Sequence, residues 1–456
     1  MRRVVLFVWA ATVAAQNPSN VISGREKEYA AQASSVASVP LADARKLKVR
    51  GGLPNVFAKL ERGESVKIAY FGGSITSANG WRPITFEWFQ KQFPKAQPDM
   101  IHASVGGTGS PVGAFRADYD LVRLKPDLVF VEFAVNDAGD ARRDPETVRQ
   151  ALEGIVRKVW HSQPATDIVF VYTLQGPDVE TLNSGKFQNA ASVHDQVADH
   201  YGIPSIHMGM EVARMVRDKQ AVFTASATAN GRTADGELVF TNDGTHPTEL
   251  GYRLYAAAAI RGLEVLRKQA SVAPHALALP MSAANWENAR TVPADRNARF
   301  NGDWEKLTAA NGPSCFRFGK RFYEWFPYLY RTRTPGSSVT VRFRGTHAGI
   351  KGMTGPDSGC ISIKVDDKAP VQECQFTVYS HMFAYGGSPL PALPDGVHTV
   401  TWTFSGEKPD KGKILASYPR PGNDKDFKEH PERYTDYNFS VGQVILIGDI
   451  LPPGDQ

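Results

Sequence analysis

Ser74 lies in the segment Tyr70-Phe71-Gly72-Gly73-Ser74-Ile75-Thr76, directly after an alternating apolar run that includes Val66, Ile68 and Tyr70. A serine hydroxyl is a weak nucleophile at neutral pH and attacks a carbonyl only with a base in hydrogen-bond reach. Of the 11 histidines, His246 is best furnished for that work, because Asp243-Gly244-Thr245-His246-Pro247 sets an acid three residues ahead of the imidazole. Asp243 would hold the ring in one tautomer and stabilise the imidazolium that forms on proton transfer. Its neighbours Asn242 and Gly244 bring no competing acid.

An attacked carbonyl becomes an oxyanion, which donors fixed in advance must meet; losing one such donor raises the barrier by about 3 kcal/mol. The candidates are the backbone N–H of Ser74, the backbone N–H of Gly107 in Gly106-Gly107-Thr108, and the side-chain amide of Asn136 in Phe133-Ala134-Val135-Asn136-Asp137. Gly107 suits the role because a missing Cβ leaves the backbone open to a ligand. Taken singly, each signal has a plain explanation. A Gly-Gly-Ser stretch is commonly just a turn, Asn136-Asp137 reads as a helix cap, and Asp243 with His246 reads as a capping pair at a helix start. Turn chemistry does not account for their joint occurrence in one order, each at a strand end.

The elements that must position these groups alternate along the chain. Apolar runs at Val66–Phe71, Met100–Ala103, Leu128–Phe133, Ile168–Tyr172 and Ile203–His207 read as strands. Between them Pro83–Phe93, Thr147–Ser162 and Gly185–Tyr201 read as helices, the second with Val148, Leu152, Ile155, Val156 and Val159 at helical spacing. Continuously apolar strands separated by amphipathic helices predict an α/β fold whose parallel sheet is covered on both faces. In such sheets ligands bind at the carboxyl ends of the strands. A helix with Pro247 in its first turn, running to Leu266, closes this domain.

Four segments resemble the sequence blocks of the SGNH (GDSL-like) hydrolase superfamily: Gly72-Gly73-Ser74, Gly106-Gly107-Thr108, Val135-Asn136-Asp137 and Asp243-Gly244-Thr245-His246-Pro247. The resemblance extends over roughly residues 64–265. It implies a three-layer α/β/α parallel sheet (SGNH or flavodoxin-like), no metal or other cofactor, and hydrolysis of O-acyl esters. By position it implies Ser74 as nucleophile, His246 as general base with Asp243 as its partner, and Ser74, Gly107 and Asn136 as the oxyanion hole. The chain departs from the pattern at three places: Gly73 replaces the aspartate of Gly-Asp-Ser, His102 stands where asparagine is usual, and Ala134-Val135 replaces a glycine-containing pair. His102 is a second histidine near the sheet end, read as structural from its strand context.

Beyond Ala273 the texture changes to short alternating runs between turn residues: Ser338–Arg344, Cys360–Val365, His398–Phe404 and Val441–Ile447. These predict an all-β sandwich or jelly-roll domain. The chain is therefore expected to comprise a signal peptide (1–15), a linker or arm (16–50), a catalytic domain (51–273), a connector (274–313) and a β-sandwich accessory domain (314–456). The signal reading rests on Arg2-Arg3, the short apolar stretch Val4–Val13 and the small pair Ala14-Ala15. It predicts a secreted or periplasmic protein without stable membrane insertion. Cys360 and Cys374 either pair as a disulfide, leaving Cys315 over, or stand as buried thiols. The net charge of +5 is spread without a basic tract, so no nucleic-acid partner is expected.

The C-terminal region resembles the β-sandwich domains that accompany some SGNH carbohydrate esterases, on Phe343-Arg344-Gly345-Thr346, the run Ser358–Asp367 and Asp395-Gly396-Val397-His398. That association, with no lipid-binding stretch in view, implies an acylated poly- or oligosaccharide substrate. Trp81 and Arg82 are candidates for shaping the acyl or sugar pocket, and Arg116 for contacting an anionic group. The aromatic run Phe322–Tyr330 either stacks on sugar rings or, the favoured reading, packs at an interface. The expected activity is removal of a small acyl group, acetyl above all, through an acyl-enzyme. Its rivals are acyl transfer or a glycosidase-like reaction on the same scaffold, and a non-catalytic carbohydrate-binding protein.

Overall fold

The computed structural model describes residues 40–268, 272–313, 325–417 and 424–452. The expected signal peptide, the first part of the arm, Cys315 and the front of the aromatic run (Phe322 to Glu324) lie outside the described residues. The chain divides into two compact units between Thr291 and Val292, inside the stretch expected as a connector.

The first unit is built on a six-stranded sheet in the order β1-β6-β5-β4-β2-β3. Its strands are β1 (Leu47–Lys48), β2 (Lys67–Gly72), β3 (Asp99–His102), β4 (Leu128–Glu132), β5 (Asp167–Tyr172) and β6 (Ser205–His207). All pairings are parallel except β1 with β6. Every residue of β4 and β5 is buried, which is why these segments read as unbroken apolar runs and not as alternation. The strand β1 closes the tail of the expected arm. Lys48 and Arg50 bond the buried Asp195 at 2.5 and 2.6 Å, so charge pairing, not apolar pattern, seats this two-residue strand.

The helices of this unit are α1 (Pro54–Arg62), α2 (Ser74–Ser77), α3 (Trp81–Gln92), α4 (Ser110–Asp120), α5 (Ala138–Arg143), α6 (Pro145–Ser162), α7 (Asp178–Asn183), α8 (Asn189–Tyr201), α9 (Met210–Arg217) and α10 (Glu249–Leu266). In α6 the Asp144 side chain accepts the Thr147 N–H at 3.2 Å, Pro145 opens the first turn, and Val148, Leu152, Ile155, Val156 and Val159 face the core. The helix expected from Pro247 begins two residues later. Thr248 is its cap, accepting the Gly251 N–H at 3.2 Å, so Pro247 lies just outside. Strands β7 (Ala221–Thr224) and β8 (Leu238–Thr241) form a separate parallel pair.

The second unit holds a large sheet in the order β15-β14-β17-β13-β19-β9, to which β10 and β16 add by pairing with β13, and a three-stranded sheet β11-β12-β18. The strands are β9 (Ala289–Pro293), β10 (Arg299–Asn301), β11 (Glu305–Leu307), β12 (Leu329–Thr332), β13 (Ser338–Thr354), β14 (Cys360–Val365), β15 (Val371–Cys374), β16 (Ala384–Pro389), β17 (Gly396–Phe404), β18 (Phe439–Val441) and β19 (Gln443–Ile450). Their inward residues, among them Val341, Phe343, Ile361, Trp402 and Leu446, form one apolar core. Strand β13 runs ten residues beyond the Arg344 limit expected from sequence. The Gly345-Thr346 pair that reads as a turn is instead a register shift against β19, with Gly345 at φ +150°, and the strand continues past it. Cys360 and Cys374 stand opposite each other on β14 and β15 and form a disulfide.

Candidate active site

In the strand order, the chain steps from β2 outward to β3 and then crosses to β4 on the other side of β2. That reversal opens a crevice at the carboxyl ends of β2 and β4. Ser74, the first residue of the single-turn helix α2, leaves the end of β2, and Asn136 leaves the end of β4.

The Ser74 hydroxyl lies 2.8 Å from His246 Nε2, and His246 Nδ1 lies 2.8 Å from Asp243 Oδ2. The other carboxylate oxygen, Oδ1, accepts the backbone N–H groups of His246 at 2.7 Å and Thr245 at 3.0 Å, and the Thr241 hydroxyl at 3.1 Å. Burial acts to raise the Asp243 pKa, but the His246 ring and these N–H groups outweigh it and hold the carboxyl well below its ordinary range. The charged Asp243 accepts the Nδ1 hydrogen, which leaves the Nε2 lone pair facing Ser74. This is the geometry of a serine, a base and an orienting acid.

Three turns carry the donors expected for an oxyanion. Gly107 has φ +73°, is exposed, and would present an added Cβ to open space, so its backbone faces solvent. Its turn is pinned at both ends: the Val105 N–H donates to the Gly72 carbonyl at 3.0 Å, and the Ser110 N–H donates to Asp137 Oδ1 at 2.7 Å. The Asn136 amide lies against Gly73, where an ideal Cβ would stand only 1.8 Å from Asn136 Oδ1. The residue preceding Ser74 is thus pressed onto this side chain. The Ser74 N–H opens α2 and is one of the donors that a helix start leaves without an intrahelical acceptor.

Trp81, Arg82 and Arg116 are placed in the interior, with 0%, 6% and 5% exposure. The Trp81 ring packs edge-on to Tyr70 and Phe130, and Arg82 Nε donates to the Thr76 carbonyl at 3.0 Å. Arg116 lies over the Phe71 ring at 4.2 Å, pairs with Asp120, and donates to the Ala103 carbonyl at 2.5 Å and the Gly72 carbonyl at 3.3 Å. All three brace the strand-end turns from behind and leave little surface for a substrate. His102 ends the edge strand β3 in register with Tyr70 and is half-buried.

Two features escape a reading of the sequence. Glu132, fully buried at the end of β4, accepts the hydroxyls of Thr173 at 2.6 Å and Thr76 at 2.7 Å; burial pushes its carboxyl up. The other is the buried Asp137–His194 pair. A lone acid closing an apolar strand and a histidine among Ala190, Val193 and Val197 on a helix face were the available signals. Among the described residues, no group of three His, Cys, Asp or Glu side chains is placed to hold a metal ion. No helix among them is long and apolar enough to cross a membrane.

Residues 70–254 match the GDSL-like lipase/acylhydrolase family. No match was found among curated proteins. Among solved structures, a two-domain esterase (CEX) active on acetylated mannans, co-crystallized with mannopentaose, is similar over 90% of this chain and 98% of its own, at 20% identity and a TM-score of 0.64. A second structure of a two-domain esterase (CEX) active on acetylated mannans is similar over 89% of this chain and 98% of its own, at 21% identity and a TM-score of 0.64. At these identities the likeness is one of fold, and it spans both units. The α/β unit thus carries a GDSL-like lipase/acylhydrolase domain over residues 70–254, within which Ser74 is bonded to His246 and His246 to Asp243, and the chain is an SGNH-type serine ester hydrolase with an additional β-rich domain.

Proposed function

We propose that the protein removes small O-acyl groups, acetyl in particular, from a carbohydrate through an acyl-enzyme on Ser74. The observation that carries this is the unbroken bond series Ser74 Oγ to His246 Nε2 and His246 Nδ1 to Asp243 Oδ2, each 2.8 Å. Ser74 Oγ adds to the ester carbonyl while its proton passes to His246 Nε2, and the resulting oxyanion is met by Ser74 N–H, Gly107 N–H and the Asn136 amide. Collapse breaks the C–O bond to the sugar as His246 returns the proton to the leaving oxygen. A water, deprotonated by His246, then hydrolyses the acyl-serine by the same sequence. Asp243, ionised throughout, stabilises the imidazolium in both halves.

The carbohydrate is favoured by the two-domain neighbours, described as active on acetylated mannans, whose fold this chain shares over both units. Export is favoured by the N-terminal pattern of charge, short apolar segment and small residues, and by the Cys360–Cys374 disulfide, a bond typical of oxidising compartments. The test is acetate release from defined acetylated oligosaccharides by the wild-type protein and by Ser74→Ala. Release by the wild type alone is expected. Chain cleavage without acetate, or equal release by Ser74→Ala, would refute the proposal.

A further inference from the structure

Behind the oxyanion turns lies a bonded pair that no step of the reaction uses. Asp137 and His194 are both 0% exposed, and His194 Nε2 meets Asp137 Oδ2 at 2.8 Å. A carboxylate so deeply buried is costly unless its oxygens are bonded. Its second oxygen, Oδ1, accepts the Ser110 N–H at 2.7 Å. Ser110 opens α4, whose N-cap is Gly109 and supplies no side-chain acceptor. Asp137 therefore reaches from the turn after β4 to cap a helix belonging to another crossover, where the peptide dipoles favour negative charge. Gly109 is needed for this approach, since a Cβ there would lie 2.3 Å from Asp137 Oδ1. His194 is flanked by the rings of Phe170 and Tyr172 from β5, centroid to centroid 6.2 and 6.0 Å. Its Nδ1 is buried with no hydrogen-bond partner, so the ring hydrogen belongs on Nε2, donated to Asp137.

Asp137 directly follows Asn136, and Ser110 stands three residues after Gly107. One carboxylate thus ties together two turns that carry oxyanion donors and issue from different strands. We propose that Asp137 and His194 are positioning residues for the oxyanion hole, fixing the Gly107 N–H relative to the Asn136 amide without touching substrate. The inference rests on the reading of those two groups as the oxyanion donors. Such donors act because they are held in place before charge develops.

The experiment compares His194→Phe and His194→Gln with wild type for kcat and KM on p-nitrophenyl acetate, and for inhibition by methaneboronic acid, which forms a tetrahedral adduct on the serine. Glutamine retains a donor near the position of the lost Nε2; phenylalanine does not. His194→Phe is expected to lower kcat by roughly 10- to 100-fold, the scale of an ångström-sized misplacement. It should leave KM nearly unchanged and weaken the boronic acid in parallel, with His194→Gln recovering most of both losses. A His194→Phe kcat within about twofold of wild type overturns the inference. So does a loss that His194→Gln shares in full, which would assign the effect to ring packing. Should His194→Phe fail to fold, Asp137→Asn serves with the same readouts. It keeps the volume but turns an N–H₂ toward the His194 donor, and an unchanged kcat there is equally fatal. Ser74→Ala, assayed alongside, separates the two levels. Turnover surviving in Ser74→Ala refutes the site itself, whereas its loss beside a normal His194→Phe refutes only the positioning role.

Discussion

Adding one methyl group at Gly73 should disable catalysis without touching any reacting group. The Gly73 backbone sits at φ −89° and ψ −152°, which alanine adopts freely, so the substitution carries no backbone strain. The new Cβ would stand 1.8 Å from Asn136 Oδ1, against an ordinary contact distance that begins at 3.4 Å. The amide must therefore retreat by about 1.6 Å, while an oxyanion donor is effective only within a few tenths of an ångström of about 2.9 Å. Gly73→Ala then amounts to deleting the Asn136 donor, a loss of about 2.7–4 kcal/mol, or roughly 10²- to 10³-fold in kcat. Steady-state kinetics on p-nitrophenyl acetate for Gly73→Ala, Asn136→Ala and the double variant check this, with circular dichroism to establish folding. Each single change should lower kcat by a similar factor, and the double should be no slower than the worse single, because both remove the same contribution. A folded Gly73→Ala within threefold of wild type would refute the reasoning, and so would full additivity in the double.

The activity should fall on the acid side with no more than unit slope in log(kcat/KM), because Asp243 is held ionised well below its ordinary range and adds no second proton; a slope of two would contradict it. Asp243→Asn should lower kcat by about 10³- to 10⁴-fold, since an amide offers Nδ1 no charge to stabilise the imidazolium; rates on p-nitrophenyl acetate decide this. Burial pushes His207 down to about 3 from its ordinary 6.5, with Gly209 N–H donating to its Nδ1 at 3.2 Å. The unfolded chain alone takes up that proton below 6.5, so stability should decline as pH falls from there, by about 1.4 kcal/mol per pH unit from this group. Urea unfolding of wild type and His207→Leu at pH 7 and 5 tests this, and equal pH slopes would count against it. Replacing Cys360 and Cys374 together by serine should cost the β-rich unit about 3 kcal/mol, from the entropy of a loop closed across 14 residues, read as a lowered midpoint in denaturant.

The sheet was legible because strands buried on both faces must be apolar through their centres, as β4 is over 128–131 and β5 over 168–172. The segments that meet around Ser74 and His246 were legible because each follows a strand end beside small residues that permit a sharp turn. Strand β1 was not, since two residues carry no period and Asp195, nearly 150 positions away, anchors them. The extent of β13 was hidden because glycine signals a bulge and a turn alike. Trp81 and Arg82 looked available because sequence proximity to Ser74 does not reveal which way a side chain points, and Arg116 because its charge does not reveal that it is spent on Asp120. Asp137 and His194 were overlooked because their partnership spans 57 positions and leaves no local pattern.

The Asp243–His246 half of the candidate site is assembled largely from one stretch of chain. The Asp243 carboxylate takes its bonds from Thr241, Thr245 and His246, all within one short stretch of chain. The excursion just before it, between β7 and β8, is largely self-bonded as well, with Thr228 N–H to the Arg232 carbonyl, Thr233 N–H to Glu237 and the Arg232 side chain to Gly236. An acid and base assembled locally form a cassette, joined to the rest of the unit by the contact to Ser74 and by the Gly176 N–H on the Gly244 carbonyl at 3.2 Å, among other bonds. Rewriting residues 225–237 would leave these Asp243 and His246 bonds with their own partners, all of which lie outside that segment.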